Sequence, residues 1–310
     1  MELSEVIINI LVRTVVAGTP LLLATLGEIV AERSGILNLG VEGMMAVGAV
    51  SAFIVTFTTG SPWLGMLVAV FAGAAISTIH AFVTVSLRAN QVVSGLAVTM
   101  LGLGLSGLWG KPFIGRPLPV KMPKAPIPLL SELPVVGPVL FNHDPYIYIS
   151  IGLGILVWFL MRHTRAGITL RSVGENPRAA ESQGVNVIGV KYLSVMIGGA
   201  FAGMAGAHLS TAYSRSWIEG MTSGRGWIVI ALTIFALWEP GRAFFGAYVF
   251  GGVFVLQFVL QPLGISPNLL AMLPYLITLM VLLVYGLAKS GQRRMAAPRT
   301  LGEPFIRGSR

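Results

Sequence analysis

The sequence predicts an all-α integral membrane protein whose helices cross the bilayer repeatedly, and composition is the first reason. Of its 310 residues, 55% are hydrophobic and only 11% are charged, with a mean hydropathy of +0.80. A soluble domain carries about 25% charged residues. The second reason is that long apolar runs recur along nearly the whole chain. We therefore expect about eight to ten transmembrane helices in one transmembrane domain, residues 1–290.

Nine apolar segments are candidates for these helices, because about 20 apolar residues span the hydrocarbon core of a bilayer. Residues 110–145 interrupt the pattern: this stretch holds nine of the eighteen prolines, so it predicts an extended, partly ordered loop rather than a regular helix. The nine segments are Val6–Leu26, Gly43–Thr58, Trp63–Leu87, Val92–Trp109, Tyr146–Met161, Tyr192–Tyr213, Gly226–Trp238, Ala243–Gln261 and Leu269–Ala288.

The distribution of basic residues predicts the orientation of the helices. The formal net charge is +9, from 21 Lys and Arg against 12 Asp and Glu, and Lys and Arg accumulate in cytoplasmic loops. Basic residues cluster in the loop 162–190 and in the tail 291–310, with four predicted helices between them. An even number of crossings puts both on one side, so we expect them in the cytoplasm and the Pro-rich loop 110–145 outside. The expected location is the inner (cytoplasmic) membrane.

Residues 26–45 place five polar or charged side chains between two apolar runs. Charged groups at membrane depth are costly and usually face a protein interior or a water-filled path. One interpretation is an ordinary polar turn over residues 31–39. The other is a broken or re-entrant helix near residues 28–43, with Asn38 and Glu42 four residues apart on one helical face. The five side chains belong to Glu28, Glu32, Arg33, Asn38 and Glu42.

The basic loop contains the signals of a short, well-bounded helix. Asn176 is a favoured N-cap residue, and Pro177 suits the first helical position. Gly184 can adopt the left-handed conformation that ends a helix. A helix of two turns is marginal in water, so we expect it to dock either on this chain's own helix ends or on a cytoplasmic partner.

Three stretches of the chain resemble the permease subunits of ATP-binding-cassette (ABC) importers for ribose, branched-chain amino acids and nucleosides. Their sequences are most similar to those of the nucleoside permeases. The turn Trp238–Arg242 departs from the small or Asn-containing Gly-Pro turn that is common in this family. The three stretches are GEIVAERSGILNLGVEGMMAVGA, GENPRAAESQGV and the run from Thr222 to Gly251.

This resemblance implies a transport subunit rather than an enzyme, with no cofactor of its own. The expected substrates are nucleosides or a related sugar-containing solute; ribose, other sugars and branched-chain amino acids are the alternatives. The expected partners are a cytoplasmic ABC ATPase, a second permease subunit (identical or paralogous) and an extracytoplasmic substrate-binding protein. The short helix would be the coupling helix, which contacts the ATPase through Glu175, Asn176, Pro177, Ala179, Ala180 and Gly184.

A path for nucleosides needs polar groups for ribose hydroxyls and base edges. Several polar side chains in or beside the apolar runs could supply them, although buried polar side chains most often bond to main chain. These candidates for the translocation path are Asn38, Glu42, Asn90, Gln91 and Gln257.

The sequence also bears on functional classes other than an importer. The chain has no P-loop motif, so any energy from ATP must come through a partner. Its four histidines show no metal-binding spacing, no catalytic constellation is evident, and we expect no metal site. An ion-coupled secondary transporter using Glu28, Glu32 or Glu42 as ion sites is the main rival. A membrane scaffold without transport would explain the basic loop but not the acidic residues.

Overall fold

The computed structural model describes residues 3–214, 216–266, 269–270, 272–287 and 297–306, and its architecture is helical. Short π-helical turns, Phe82–Ser86 and Leu209–Tyr213, extend two of the helices. The helices are α1 (Leu3–Arg33), α2 (Val41–Thr59), α3 (Pro62–Ala81), α4 (Gln91–Gly110), α5 (Val136–Leu140), α6 (Pro145–His163), α7 (Arg165–Glu175), α8 (Pro177–Ser182), α9 (Val187–His208), α10 (Arg225–Phe235), α11 (Pro240–Leu260) and α12 (Leu273–Leu287).

The described residues contain seven helices long and apolar enough to cross a membrane: α1, α2, α3, α4, α6, α9 and α11. This confirms the all-α polytopic fold class. The predicted crossing Gly226–Trp238 is wrong as a full span. The helix there, α10, has 11 residues and covers about 16 Å at the helical rise, roughly half of the hydrocarbon core. Of the last predicted segment, α12 has 15 residues, and Ala288 lies outside the described residues.

The break predicted near residues 28–43 falls between α1 and α2. Helix α1 runs on through Arg33, so Glu28 and Glu32 are helical, and residues 34–40 form a non-helical link. Gly35 has φ +85°, a backbone conformation that side chains with a Cβ rarely adopt. The expectation that Asn38 and Glu42 share a helical face is wrong, because Asn38 lies in the link and Glu42 in the first turn of α2.

The loops also differ in part from the prediction. Between α4 and α6 the Pro-rich chain is mostly irregular, as predicted, with only short helical segments such as α5. The basic loop 162–190 contains the predicted short helix, which is α8. It also contains α7, which the sequence reasoning treated as loop. Helix α7 carries charged residues along one face and packs against the end of α6, as a helix at a membrane surface does.

Small residues allow the long helices to pack closely. A Cβ added to Gly203 in α9 would lie 2.1 Å from the carbonyl oxygen of Ala69 in α3, and one added to Gly251 in α11 would lie 2.6 Å from the backbone nitrogen of Gly18 in α1. Backbones in contact at these points leave no room for side chains. Helix α2 is the most enclosed of the spanning helices.

The two ends of the helix bundle are chemically different. One end, called the basic end below, contains α7, α8 and residues 297–306, where Thr300 is bonded to Gly174. At the opposite end, Ile114 after α4 pairs with Trp217 after α9. The basic loop and the described part of the tail therefore lie together, as their charge predicts. Residues 291–296 and 307–310 of the tail lie outside the described residues.

Candidate functional site

A buried carboxylate from residues 26–45 fixes the N-terminal end of α10. Glu42, which is 4% exposed, accepts hydrogen bonds from the backbone N–H of Gly224 (3.0 Å) and of Gly226 (2.6 Å). Both are N–H groups that a helix start leaves without an intrahelical partner. A negative charge at this position also complements the helix dipole. The first turn of α10 is therefore fixed to the first turn of α2.

The other end of α10 is held by two more residues of the same stretch. Glu32 accepts a hydrogen bond from the indole N–H of Trp238 (2.5 Å), just after α10. Arg33 donates to the carbonyl oxygens of Trp238 (3.1 Å) and Leu237 (3.4 Å). Leu237 and Trp238 both have positive φ values, 55° and 53°, so this turn is strained and needs such partners. Residues 26–45 therefore fix both ends of the half-length helix α10, through Glu42 at its start and through Glu32 and Arg33 after its end.

The link between α1 and α2 is fixed by a third acid. The Asn38 amide donates to Glu28 (2.9 Å), while its oxygen accepts the N–H of Gly40 (3.0 Å). On the other side of the link, His80 of α3 bonds to the carbonyl oxygen of Leu37 (3.0 Å). The polar groups of residues 26–45 therefore organise helix ends and backbone inside the protein, which is the role that buried polar groups most often have.

A polar cleft of about 150 Å³ opens beside the start of α10. It lies between α2, α4 and the non-helical residues that precede α10. Non-helical backbone at membrane depth is tolerated where it is buried or lines a cavity, and discontinuous helices often border transport sites. Thr222 is 1% exposed, and its hydroxyl has no hydrogen-bond partner within the described residues. Sequence reasoning missed this cleft. Its polar lining residues are Ser106, Glu219 and Thr222.

The short helix α8 matches its prediction closely. The Asn176 side chain accepts the N–H of Ala179 (3.0 Å), Pro177 occupies the first helical position, and Gly184 has φ +83°. Its residues divide into two faces. Pro177 and Ala180 are buried, and Ala180 lies in an apolar cluster shared with α7 and α9. The other four predicted coupling residues are exposed: Glu175, Asn176, Ala179 and Gly184.

Residues 297–306, called the tail strap below, pack against the base of α8, meaning the junction between the last turn of α7 and the start of α8. The N–H and the hydroxyl of Thr300 both donate to the carbonyl oxygen of Gly174 (3.0 and 2.7 Å). Gln91, only 2% exposed, donates to the carbonyl oxygen of Glu303 (3.2 Å) and accepts the N–H of Leu37 (2.6 Å). Phe305 packs against the same apolar cluster as Ala180. Sequence reasoning, which described the tail only as basic, missed this contact.

The other predicted path residues are scattered. Asn90 is exposed and caps α4 by accepting the N–H of Val93 (3.0 Å). Gln257 is half-buried on α11. The structure does not gather the five predicted path residues into one cavity: Asn38, Glu42, Asn90 and Gln91 each bond to groups of this chain that fix helix ends or links.

Known proteins with similar sequences are transport subunits. A guanosine ABC transporter permease protein of Bacillus subtilis is 35% identical, over 100% of both chains. A nucleoside ABC transporter permease protein of Lactococcus lactis is 32% identical over 96% of both. A Haloferax volcanii permease protein, provisionally named for glucose, is 41% identical over 95% of this chain and 96% of its own. No solved structure matches the chain.

The match to a protein family covers almost all of the described helices. Residues 10–283 match the family described as the branched-chain amino acid transport system permease component. This range includes α10, both carboxylates that hold its ends, and α8. The resemblance seen in three stretches is thereby confirmed over the length of the chain. The chain belongs to this family of ABC transporter permeases, and it is a multi-pass membrane transport subunit.

Proposed function

We propose that the chain forms the substrate path of an importer for nucleosides or a related sugar-containing solute in the cytoplasmic membrane. The observation that carries this proposal is the exposed face of α8 at the basic end, in a chain of an ABC permease family. The names of its relatives, which refer to guanosine, nucleosides and glucose, support the substrate class. Ribose, other sugars and branched-chain amino acids remain the alternatives.

A cytoplasmic ATPase docks on α8 in this proposal. Its contact surface consists of the exposed residues Glu175, Asn176, Ala179 and Gly184. Pro177 and Ala180 support this surface from inside the protein, because both are buried and Ala180 packs in the apolar cluster shared with α7 and α9. A second permease subunit completes the path, and a substrate-binding protein docks at the opposite end, which faces outward.

ATP-driven movement of α8 has a short physical route to the transport core. Gly174, in the last turn of α7 just before α8, packs so closely on α1 that an added Cβ would lie 2.2 Å from the carbonyl oxygen of Arg33. Arg33 holds the end of α10, and the other end of α10 borders the polar cleft at Glu219 and Thr222. We therefore place the substrate path at this cleft, with α10 as the element that changes its width.

Replacing one exposed alanine tests ATPase docking. Ala179→Trp puts a bulky side chain on the outer face of α8, where the fold has room but a docked partner does not. We expect at least a tenfold loss of ATPase co-purification and of substrate uptake. Ala125→Trp, at an exposed position in the Pro-rich loop at the opposite end, is the matched control for ATPase co-purification, which a change at the outward face should leave intact. Unchanged co-purification and uptake with Ala179→Trp would refute docking on α8.

Uptake measurements test the substrate class and the energy source. The chain is co-expressed with the ATPase and binding protein of its operon in cells lacking their own systems, and labelled guanosine, glucose, ribose and leucine are compared. We expect ATP-dependent uptake of guanosine. Leucine uptake alone would assign the chain to amino acids. Uptake by the purified chain in liposomes, driven only by an ion gradient, would make it a secondary transporter instead.

A further inference from the structure

Three arginines from three different helices line one cleft at the basic end. The cleft has a volume of about 230 Å³ and lies where α1 and α6 end and α11 begins. Arg33 comes from α1, Arg162 from α6 and Arg171 from α7. Glu239 is the one acidic residue in the lining. The remaining lining residues are Trp158, Met161, Trp238 and Pro240.

The positive charge in this cleft exceeds what the described protein groups neutralise. Arg162 and Arg171 are exposed, and neither forms a hydrogen bond or ion pair with any residue in the described part of the chain. Arg33 interacts electrostatically with two acids, Glu239 and Glu175, and with Arg171, a like charge, so three guanidinium groups face two carboxylates. Guanidinium groups that converge in this way match the geometry of a phosphate, which accepts paired hydrogen bonds from them.

The depth of the cleft indicates which phosphate would reach it. Arg33 and Arg162 lie at the ends of candidate membrane spans, Ser4–Arg33 and Pro145–His163, and Pro240 begins another, Pro240–Leu260. The cleft is therefore level with the lipid headgroups. Two tryptophans line it, and Trp is enriched at this level of a membrane.

An apolar groove next to the cleft provides room for a hydrocarbon chain. It has a volume of about 480 Å³ and lies between α1, α6, α7 and α9. Met161 lines both the groove and the arginine cleft. A free inorganic phosphate would leave such a groove unused, whereas a phospholipid could place its headgroup in the cleft and an acyl chain in the groove. The apolar lining includes Leu153, Leu156, Val157, Leu160, Leu193 and Ile197.

We propose that this cleft binds the headgroup phosphate of an anionic phospholipid, through Arg162 and Arg171 with Arg33 at its inner wall. Basic pockets between transmembrane helices on the cytoplasmic side are known to bind acidic lipid headgroups. A bound lipid would join α6 and α7 to the end of α1 that holds α10.

Lipid retention by the purified full chain tests the proposal. Delipidated protein in detergent is mixed with phosphatidylglycerol or phosphatidylcholine, and the retained lipids are counted by native mass spectrometry. We expect the wild type to retain phosphatidylglycerol preferentially. The double substitution Arg162→Gln/Arg171→Gln should weaken that retention by at least about tenfold. Arg165→Gln, at an equally exposed position outside the cleft lining, is the matched control and should retain the lipid.

Three results would overturn the proposal. The first is equal retention of phosphatidylglycerol and phosphatidylcholine by the wild type. This comparison does not depend on whether a variant folds. The second is unchanged phosphatidylglycerol retention by the double variant. The third is full displacement of phosphatidylglycerol by millimolar inorganic phosphate, which would assign the cleft to a free anion. If the double variant keeps its lipid but loses the ATPase, the second result holds and the arginines form a protein docking surface.

Discussion

At the scale of single residues, charged side chains of residues 26–45 stabilise the ends of α10, which lies more than 180 residues away in the sequence. Glu42 bonds to Gly224 and Gly226, and Glu32 bonds to Trp238. Buried charges in a membrane protein are conventionally interpreted as ion or substrate sites. Here Glu42, Glu32 and the half-buried Arg33 bond to backbone and indole groups at the ends of α10 that would otherwise lack a partner. A structural role therefore accounts for the cost of burying these charges.

Removing the carboxylate of Glu42 should destabilise the fold measurably. Glu42→Ala leaves the half-buried N–H of Gly224 and the buried N–H of Gly226 without their acceptor, at a cost of about 2 kcal/mol or more in the free energy of unfolding. Glu42→Gln should lose less, because its amide oxygen can still accept one bond. Thermal unfolding of the detergent-solubilised protein measures both. The control is Glu5→Ala, at an exposed position in the first turn of α1; equal effects of Glu5→Ala and Glu42→Ala would contradict this role.

A methyl group at Gly226 should be far more harmful than one on an open helix face. An added Cβ would lie 2.5 Å from both the Cα and the N of Glu42, which are backbone atoms that cannot turn away. We expect Gly226→Ala to yield little monodisperse protein by size-exclusion chromatography. Gly104→Ala, where no atom lies within 4 Å of the new Cβ, should behave like the wild type or be slightly more stable. Normal yield of Gly226→Ala would show that α2 and α10 can move apart.

The sequence predicted the importance of these residues but not their partners. Residue type and spacing showed that Glu28, Glu32 and Glu42 needed an explanation. For Glu32 and Glu42 the explanation lies in long-range contacts with α10 and the turn after it, and no local pattern in residues 26–45 contains that information. Glu28 bonds instead to Asn38 within the same stretch. For Asn90, by contrast, the signal is local: an Asn before an apolar helix is a favoured N-cap, and this is the bond it makes.

At the scale of secondary structure, α8 and α10 show what local sequence can and cannot determine. Asn176, Pro177 and Gly184 act on their own backbone, so the bounds of α8 could be predicted within one residue. The apolar run Gly226–Trp238 has the composition of a membrane span. Its helix ends at Phe235 because the strained turn at Leu237 and Trp238 is stabilised by Arg33 and Glu32, which are distant in sequence.

The tail strap should stabilise the base of α8 through one side-chain hydroxyl. Thr300→Val keeps the size of the side chain but removes its hydrogen bond to Gly174, which contributes about 0.5–1.5 kcal/mol. We expect hydrogen exchange of the backbone amides in residues 174–184 to become about two- to tenfold faster. Arg299→Ala is the control, since its ion pair with Glu175 is long (3.9 Å) and exposed and contributes little. Unchanged hydrogen exchange of these amides in Thr300→Val would show that the tail strap does not stabilise this segment.

At the scale of the whole molecule, charge and structure support the same two-sided arrangement. The basic loop and residues 297–306 meet at one end, while the Pro-rich loop packs near Trp217 at the other. The sequence predicted this division from the positions of Lys and Arg, because orientation depends on composition summed over loops. It did not predict that part of the tail folds back onto the loop, since that contact rests on individual residues such as Thr300.

Labelling of single cysteines tests the orientation directly, because the chain contains no native cysteine. Leu129→Cys lies in the Pro-rich loop, and Ser182→Cys lies at the end of α8; both positions are exposed. A membrane-impermeant maleimide should label Leu129→Cys in intact cells and Ser182→Cys only after the membrane is opened. The reverse result would invert the orientation and would place α8 out of reach of a cytoplasmic ATPase.

The contacts of the tail strap also have a consequence for biosynthesis. They join residues near Leu37 and Gly174 to Glu303 and Thr300, and a ribosome adding about 5–20 residues per second needs on the order of tens of seconds to make the chain between Leu37 and Glu303. In the later part of that interval, once Ser182 has been made, α8 exists without its brace. A nascent chain therefore completes its basic end only after α11 and α12 have been made, so any partner that bound α8 earlier would meet a less rigid surface.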